Sequence, residues 1–73
     1  MAEICFTILS AKSHYEVLQV DPSSDVETIR KSYIKLSVKV HPDRNRAPEA
    51  TRAFQRVAEA YEVLSDDAKR REY

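Results

Sequence analysis

Glycine is absent from this 73-residue sequence and cysteine occurs once. Turns that need a positive φ normally use glycine, so its absence argues against hairpins and a β-rich fold. Short helices with capped ends are the natural alternative. The single Cys5 excludes an internal disulfide, offers no thiolate cluster for a metal, and suits a reducing compartment. No apolar run approaches the roughly 18 residues that cross a bilayer. The nearest approach to a targeting segment is ICFTIL, which follows Glu3. A signal peptide has a basic start and about 7–15 apolar residues, so this stretch reads as an extension that packs or dangles.

The chain has the size of one small domain, near the lower limit for a single self-sufficient core. A third of its residues are charged, yet the formal net charge is zero. That balance hides an asymmetry: residues 26–46 carry six Lys/Arg against two acids, and the rest carries six against ten. One segment is a positive patch on a neutral protein.

Repeats, low-complexity tracts and linkers are lacking, so residues 1–12 read as a short N-terminal extension and 13–73 as one domain. Ser13-His14-Tyr15-Glu16 fits a capping box, opening a short first helix through Tyr15, Val17 and Leu18 to about Val20. Asp21-Pro22 breaks it. Ser24-Asp25-Val26-Glu27 is a second capping box. Behind it Val26, Ile29, Tyr33, Leu36 and Val40 recur at spacings of 3, 4, 3 and 4, one face of a helix that Pro42 must stop. Pro48 suits the first position of a third helix, in which Phe54, Val57, Tyr61 and Leu64 repeat at 3, 4 and 3 beside Ala50, Ala53 and Ala60. Ser65-Asp66-Asp67 caps a last short helix carrying Lys69, Arg70 and Arg71. The expected fold is all-α: an antiparallel hairpin of the second and third helices, flanked by short first and fourth ones.

Two features of the second helix stand apart from its core stripe. Arg30, Lys31, Lys35 and Lys39 form a basic face in which almost no acid alternates after Glu27; it is either a solubilising face or a seat for an anionic partner. Ile34 and Val38, at i,i+4, form an apolar pair among these charges, opposite the core stripe. They are either incidentally exposed or a docking spot. His41 and Asp43 suggest a base with its orienter, or metal ligands. No nucleophile accompanies them, however, and His14 and Cys5 lack ligand spacing to them. So short a chain also lacks the bulk to enclose the usual pocket of ~300 Å³ or more. From residue chemistry alone, Pro42 stops the helix, Asp43 accepts loop N–H bonds and His41 caps the helix end.

Together, HYEVLQVD, IRKSYIKLSVKVHPDRN, AFQRVAEAYEVLSD and AKRREY resemble the J domain of DnaJ-type co-chaperones over Ser13 to Tyr73. The resemblance gives His41-Pro42-Asp43 a role: in that family the triplet stimulates a DnaK-type ATPase chaperone. It implies that Arg30, Tyr33 and Lys35 meet the chaperone, with Lys31 and Lys39 on the same basic face. Asp43 would engage an arginine of the partner. Arg44 and Asn45 match residues after the triplet, Phe54 an aromatic at the base of the third helix, and Lys69 and Arg70 the basic pair of the fourth. Gln19 departs from a common Gly, Val40 from a common aromatic, and Ile34 from a frequent basic residue, which adds Ile34 and Val38 to the expected contact surface.

The resemblance further implies a monomer that is no enzyme and holds no cofactor, ATP being bound and hydrolysed by the chaperone. Clients would bind through regions outside this chain. The location would be cytoplasmic, or the cytosolic face of the endoplasmic reticulum if the full protein carries an anchor, since NRAPEATRAF looks like the loop of J proteins tethered there. Two other readings use the same residues: a nucleic-acid-binding helical module built on the basic helix, and a structural oligomerisation hairpin.

Overall fold

A computed structural model describes residues 2–73. It contains five helices: α1 (Ala2–Ser10), α2 (His14–Leu18), α3 (Val26–Val40), α4 (Ala50–Leu64) and α5 (Asp67–Glu72). The described residues include no strand. The expected all-α fold is therefore correct, with one helix more than the four read from the sequence. The added helix is α1, formed by the segment that looked like a tail.

Local signals place most boundaries. Ser13 Oγ accepts the Glu16 N–H at 3.1 Å, as a cap should, but Glu16 Oε2 reaches back to the Lys12 N–H at 3.0 Å instead of the cap's own amide. The cap of α3 is Asp25 instead of Ser24: its Oδ1 accepts the Thr28 N–H at 2.8 Å. Asp66 caps α5 through the Ala68 and Lys69 amides. Pro48 lies in the turn before α4, not at its first position, and Glu49 occupies the cap without a side-chain bond. Where α2 ends, Gln19 takes φ 58° and ψ 43°, and its N–H donates to the Glu16 carbonyl at 3.2 Å. This is the left-handed conformation that glycine enters without a Cβ clash.

The hairpin of α3 and α4 is antiparallel, since Tyr33 stacks on Tyr61 and His41 meets Phe54. Ile29, Leu36 and Val40 from α3 bury against Ala50, Ala53, Val57, Ala60 and Leu64 from α4. The three alanines put no bulk between the backbones, so larger residues from neighbouring helices can pack down on α4. Val26, expected on the core stripe, is 42% exposed at the first turn, where α3 has run past its partner. Val17 and Leu18 of α2 and Cys5 and Ile8 of α1 complete the same core. Ser32 Oγ donates to the Leu18 carbonyl at 2.6 Å, tying α2 to α3. The Arg70 guanidinium donates to the Pro22 and Ser24 carbonyls and lies over the Tyr15 ring, so α5 locks the α2–α3 turn. No helix among the described residues is long and apolar enough to cross a membrane.

Candidate functional site

The backbone turns at His41. Pro42 cannot donate to the α3 ladder, and His41 leaves the helix at φ −62° and ψ 130°. The His41 carbonyl then accepts the N–H groups of Arg44 at 2.9 Å and Asn45 at 2.8 Å, closing a tight loop. His41 Nδ1 accepts the Asp43 N–H at 3.1 Å, and its ring meets Phe54 edge-on with centroids 5.2 Å apart. Asp43 Oδ2 lies 3.7 Å from the same Nδ1. The two contacts need opposite protonation of that nitrogen. The first is at hydrogen-bonding distance and the second is not, so we take the neutral ring, with its proton on Nε2, as the structural one.

The Asp43 side chain is 90% exposed. Among the described residues it accepts no backbone hydrogen bond; the expectation that Asp43 gathers loop N–H groups is overturned, since His41 and Asn45 hold the loop instead. Asn45 is the interior piece, only 1% exposed. Its Nδ2 donates to the Lys39 carbonyl at 3.1 Å, satisfying the last turn of α3, and its Oδ1 accepts the Ala47 N–H at 3.0 Å. Asn45, expected beside a partner, thus lies beneath the loop. Arg44 is exposed and Pro42 forms the loop's outer edge.

Beside the loop runs an open groove of about 420 Å³ lined by Tyr33, Ile34, Ser37, Val38, His41, Asp43, Arg44 and Phe54. A chain of this length does shape a concavity of ligand-site size, as an open groove and not an enclosed pocket. Ile34 and Val38 are each 47% exposed. They are not an isolated pair opposite the core, because the groove carries the apolar surface round α3 from Tyr33 and Phe54. Ser37 keeps its floor polar-neutral by turning its hydroxyl onto the Tyr33 carbonyl at 2.6 Å. The structure therefore brings seven of the predicted residues to one place and adds Ser37, which no motif distinguished.

The basic face lies next to it. Arg30 Nη2 pairs with Glu27 Oε1 at 2.6 Å, so this cation has an acid after all, one turn back at i,i+3. The hydrogen bond with Arg30, then its charge, lowers the Glu27 pKa, and the same contact raises that of Arg30. Lys31, Lys35 and Lys39 are exposed and make no salt bridge among the described residues. Three exposed lysines, the exposed Arg44, an apolar groove and the exposed Asp43 carboxylate thus share a surface. The described residues include no cluster of three or more His, Cys, Asp or Glu that would hold a metal.

Comparison with known proteins agrees with this geometry. The family model of the DnaJ domain matches residues 13–73. The chain is 52% identical over 65 residues to DnaJ homolog dnj-10 of Caenorhabditis elegans, covering 89% of this chain and 14% of that protein. It is 48% identical over 66 residues to DnaJ homolog subfamily B member 14 of Xenopus laevis, covering 90% and 18%. To human DnaJ homolog subfamily B member 9 it is 47% identical over 66 residues, covering 90% and 30%. The chain thus spans less than a third of the length of these relatives. An all-helical hairpin with His-Pro-Asp at its bend, matched over residues 13–73, belongs to the DnaJ-domain family of co-chaperones.

Proposed function

We propose that this domain binds a DnaK-type ATPase chaperone through the His41–Asp43 loop and the exposed side of α3, and accelerates ATP hydrolysis in the partner's site. The functional unit is residues 13–73, with 1–12 as an extension. The observation that carries the reading is the Asp43 carboxylate, 90% exposed on a loop whose backbone is held by hydrogen bonds to His41 and Asn45. A charge presented without an internal hydrogen-bonding partner on a short, anchored loop is free to make a charge-assisted bond elsewhere, at small ordering cost.

Lys31, Lys35 and Lys39 would draw an acidic chaperone surface toward α3, and the groove with Ile34, Val38 and Phe54 would take an apolar contact once the surfaces meet. Tyr33 and Arg30 frame that contact, and Arg44 flanks the loop. Asp43 then pairs with an arginine of the chaperone. It speeds hydrolysis only if it binds the hydrolysis-competent arrangement better than the resting one. His41 and Pro42 set the loop's geometry and transfer no proton. Hydrolysis in turn tightens the chaperone's grip on a client, which engages other regions of the full protein. A nucleic-acid partner would use the lysines alone and leave the groove idle.

Single-turnover ATP hydrolysis by a DnaK-type chaperone, with and without this chain, tests the reading. The expected result is a faster single-exponential rate that saturates with domain concentration. An unchanged rate at saturating concentration defeats it, and tight binding to nucleic acid with a steep salt slope would put the alternative in its place.

A further inference from the structure

Helix α1 lies ahead of the family match, yet it is not a loose appendage. Cys5 and Ile8, one turn apart, are buried to 0% and 1% against the core shared by α2 and α4, and Ile4 and Leu9 pack at its margin. The buried face also reaches the loop: Asn45 Nδ2, which donates to the Lys39 carbonyl, lies 3.5 Å from Cys5 Sγ in hydrogen-bonding geometry. The same Asn45 donates its backbone N–H to the His41 carbonyl and accepts the Ala47 N–H. One amide side chain therefore joins the end of α3, the loop after the triplet and α1, across 40 residues of sequence.

We propose that α1 is a positioning element for the His41–Asn45 loop, with Cys5 holding the Asn45 carboxamide in the orientation that fixes how Asp43 is presented. Sulfur is a weak acceptor, but the contact is buried, where water cannot replace it. Without Cys5 Sγ the carboxamide gains room to turn, and its bonds to Lys39 and Ala47 loosen together. The loop then spends part of its time with Asp43 misplaced. A site competent for only part of the time binds more weakly in proportion to that fraction, while the fully bound complex is unchanged. The segment before the matched domain thereby tunes the strength of the interaction proposed above, on which this inference rests.

The test uses the full chain with Cys5→Ala, with Cys5→Ser to restore a small acceptor and Phe6→Ala as a control on the exposed face of α1. Two quantities are measured below the melting range: amide exchange at Arg44 and Asn45, whose N–H groups bond His41, and the domain concentration for half-maximal ATPase stimulation. Cys5→Ala should speed exchange at those two amides and not at Leu36 or Val57. It should raise the half-maximal concentration about three- to tenfold at an unchanged maximal rate, the signature of a reduced competent fraction. Cys5→Ser should recover part of both effects and Phe6→Ala should show neither.

Exchange that is unchanged, or faster throughout the core, overturns the proposal by making Cys5 ordinary packing. Faster loop exchange at an unaltered half-maximal concentration overturns it as well. If the parent chain stimulates no DnaK-type chaperone, the proposed function fails instead, and the exchange pattern alone still decides whether Cys5 holds the loop.

Discussion

At the scale of single residues, the sharpest contrast is between Asp43 and Asn45, two residues apart. One is almost wholly exposed and the other almost wholly buried. Asp43→Asn keeps the side-chain volume and removes only the charge, and no internal hydrogen bond depends on that carboxylate. Its melting temperature should equal the parent's while most ATPase stimulation is lost, because a charge-assisted bond becomes a weaker neutral one. A folded Asp43→Asn domain that stimulates as well as the parent would reduce the triplet to a helix stop. Gln19 offers an independent check on the backbone. An L-residue in the left-handed region costs roughly 1–2 kcal/mol. Glycine escapes most of that cost but loses more chain entropy on folding, so Gln19→Gly should stabilise by about 0.5–1 kcal/mol in a denaturant titration. A loss of stability would mean that the Gln19 side chain makes up for its strain.

At the scale of elements, α3 does two things on separate faces, core packing through Ile29, Leu36 and Val40 and surface chemistry through its lysines. Lys31 and Lys35 make no side-chain hydrogen bond or ion pair among the described residues, Lys31 acting only through its charge on Asp25 and Glu27, so reversing both to Glu should cost little helicity. It should lower the association rate with the chaperone about tenfold at low ionic strength, with the deficit shrinking as salt is added. Stopped-flow association reads this directly, and equal rates at low salt would remove the lysines from the encounter. Arg30 is a poorer probe than the lysines, because its reversal also breaks the pair with Glu27.

At the scale of the whole molecule, one core joins α1, α2, α3 and α4, while α5 buries no residue and is held through Arg70, so a single core truncation is felt across four helices. Leu64 is fully buried, and Leu64→Ala should cost about 2–5 kcal/mol. That is a large part of the stability of a small domain, typically about 5–15 kcal/mol. A thermal melt matching the parent's would mean that the helix register is wrong. The far end of the bundle also responds to pH. His14 Nδ1 lies 2.8 Å from Arg56 Nη1, its ring lies against Tyr73, and its backbone N–H donates to the Tyr73 hydroxyl. Burial, then the Arg56 charge, lowers the His14 pKa, with Glu59 pulling weakly the other way. The unfolded chain therefore takes up this proton first. Stability is complete above about pH 6.5 and declines as pH falls through the lower folded-state value. Asp21, Asp25 and Glu27 also have lowered values, but carboxylates act in a more acidic window. Melting temperatures between pH 7.5 and 5.5 should fall for the parent and much less for His14→Gln; equal slopes would assign the effect elsewhere.

Local chemistry made the helices, their caps and the bend legible in the sequence. A proline stops a helix and an Asp or Ser caps one through contacts within four residues, and a 3–4 repeat defines a face without reference to the rest of the chain. The triplet's place between two such helices was readable for the same reason. What the sequence could not determine depends on partners far along the chain. Residues 2–10 looked like a tail because nine residues hold too little helix propensity to stand alone; they are a helix because α2 and α4 present an apolar surface that covers Cys5 and Ile8. Asn45 looked like part of a contact surface and lies inside, because burying a carboxamide is favourable only where Lys39, Ala47 and Cys5 together satisfy it. Ile34 and Val38 became part of a groove only when the antiparallel packing of α4 brought Phe54 alongside. Periodicity is a property of one helix, whereas burial and concavity belong to pairs of helices, and those only the tertiary structure decided.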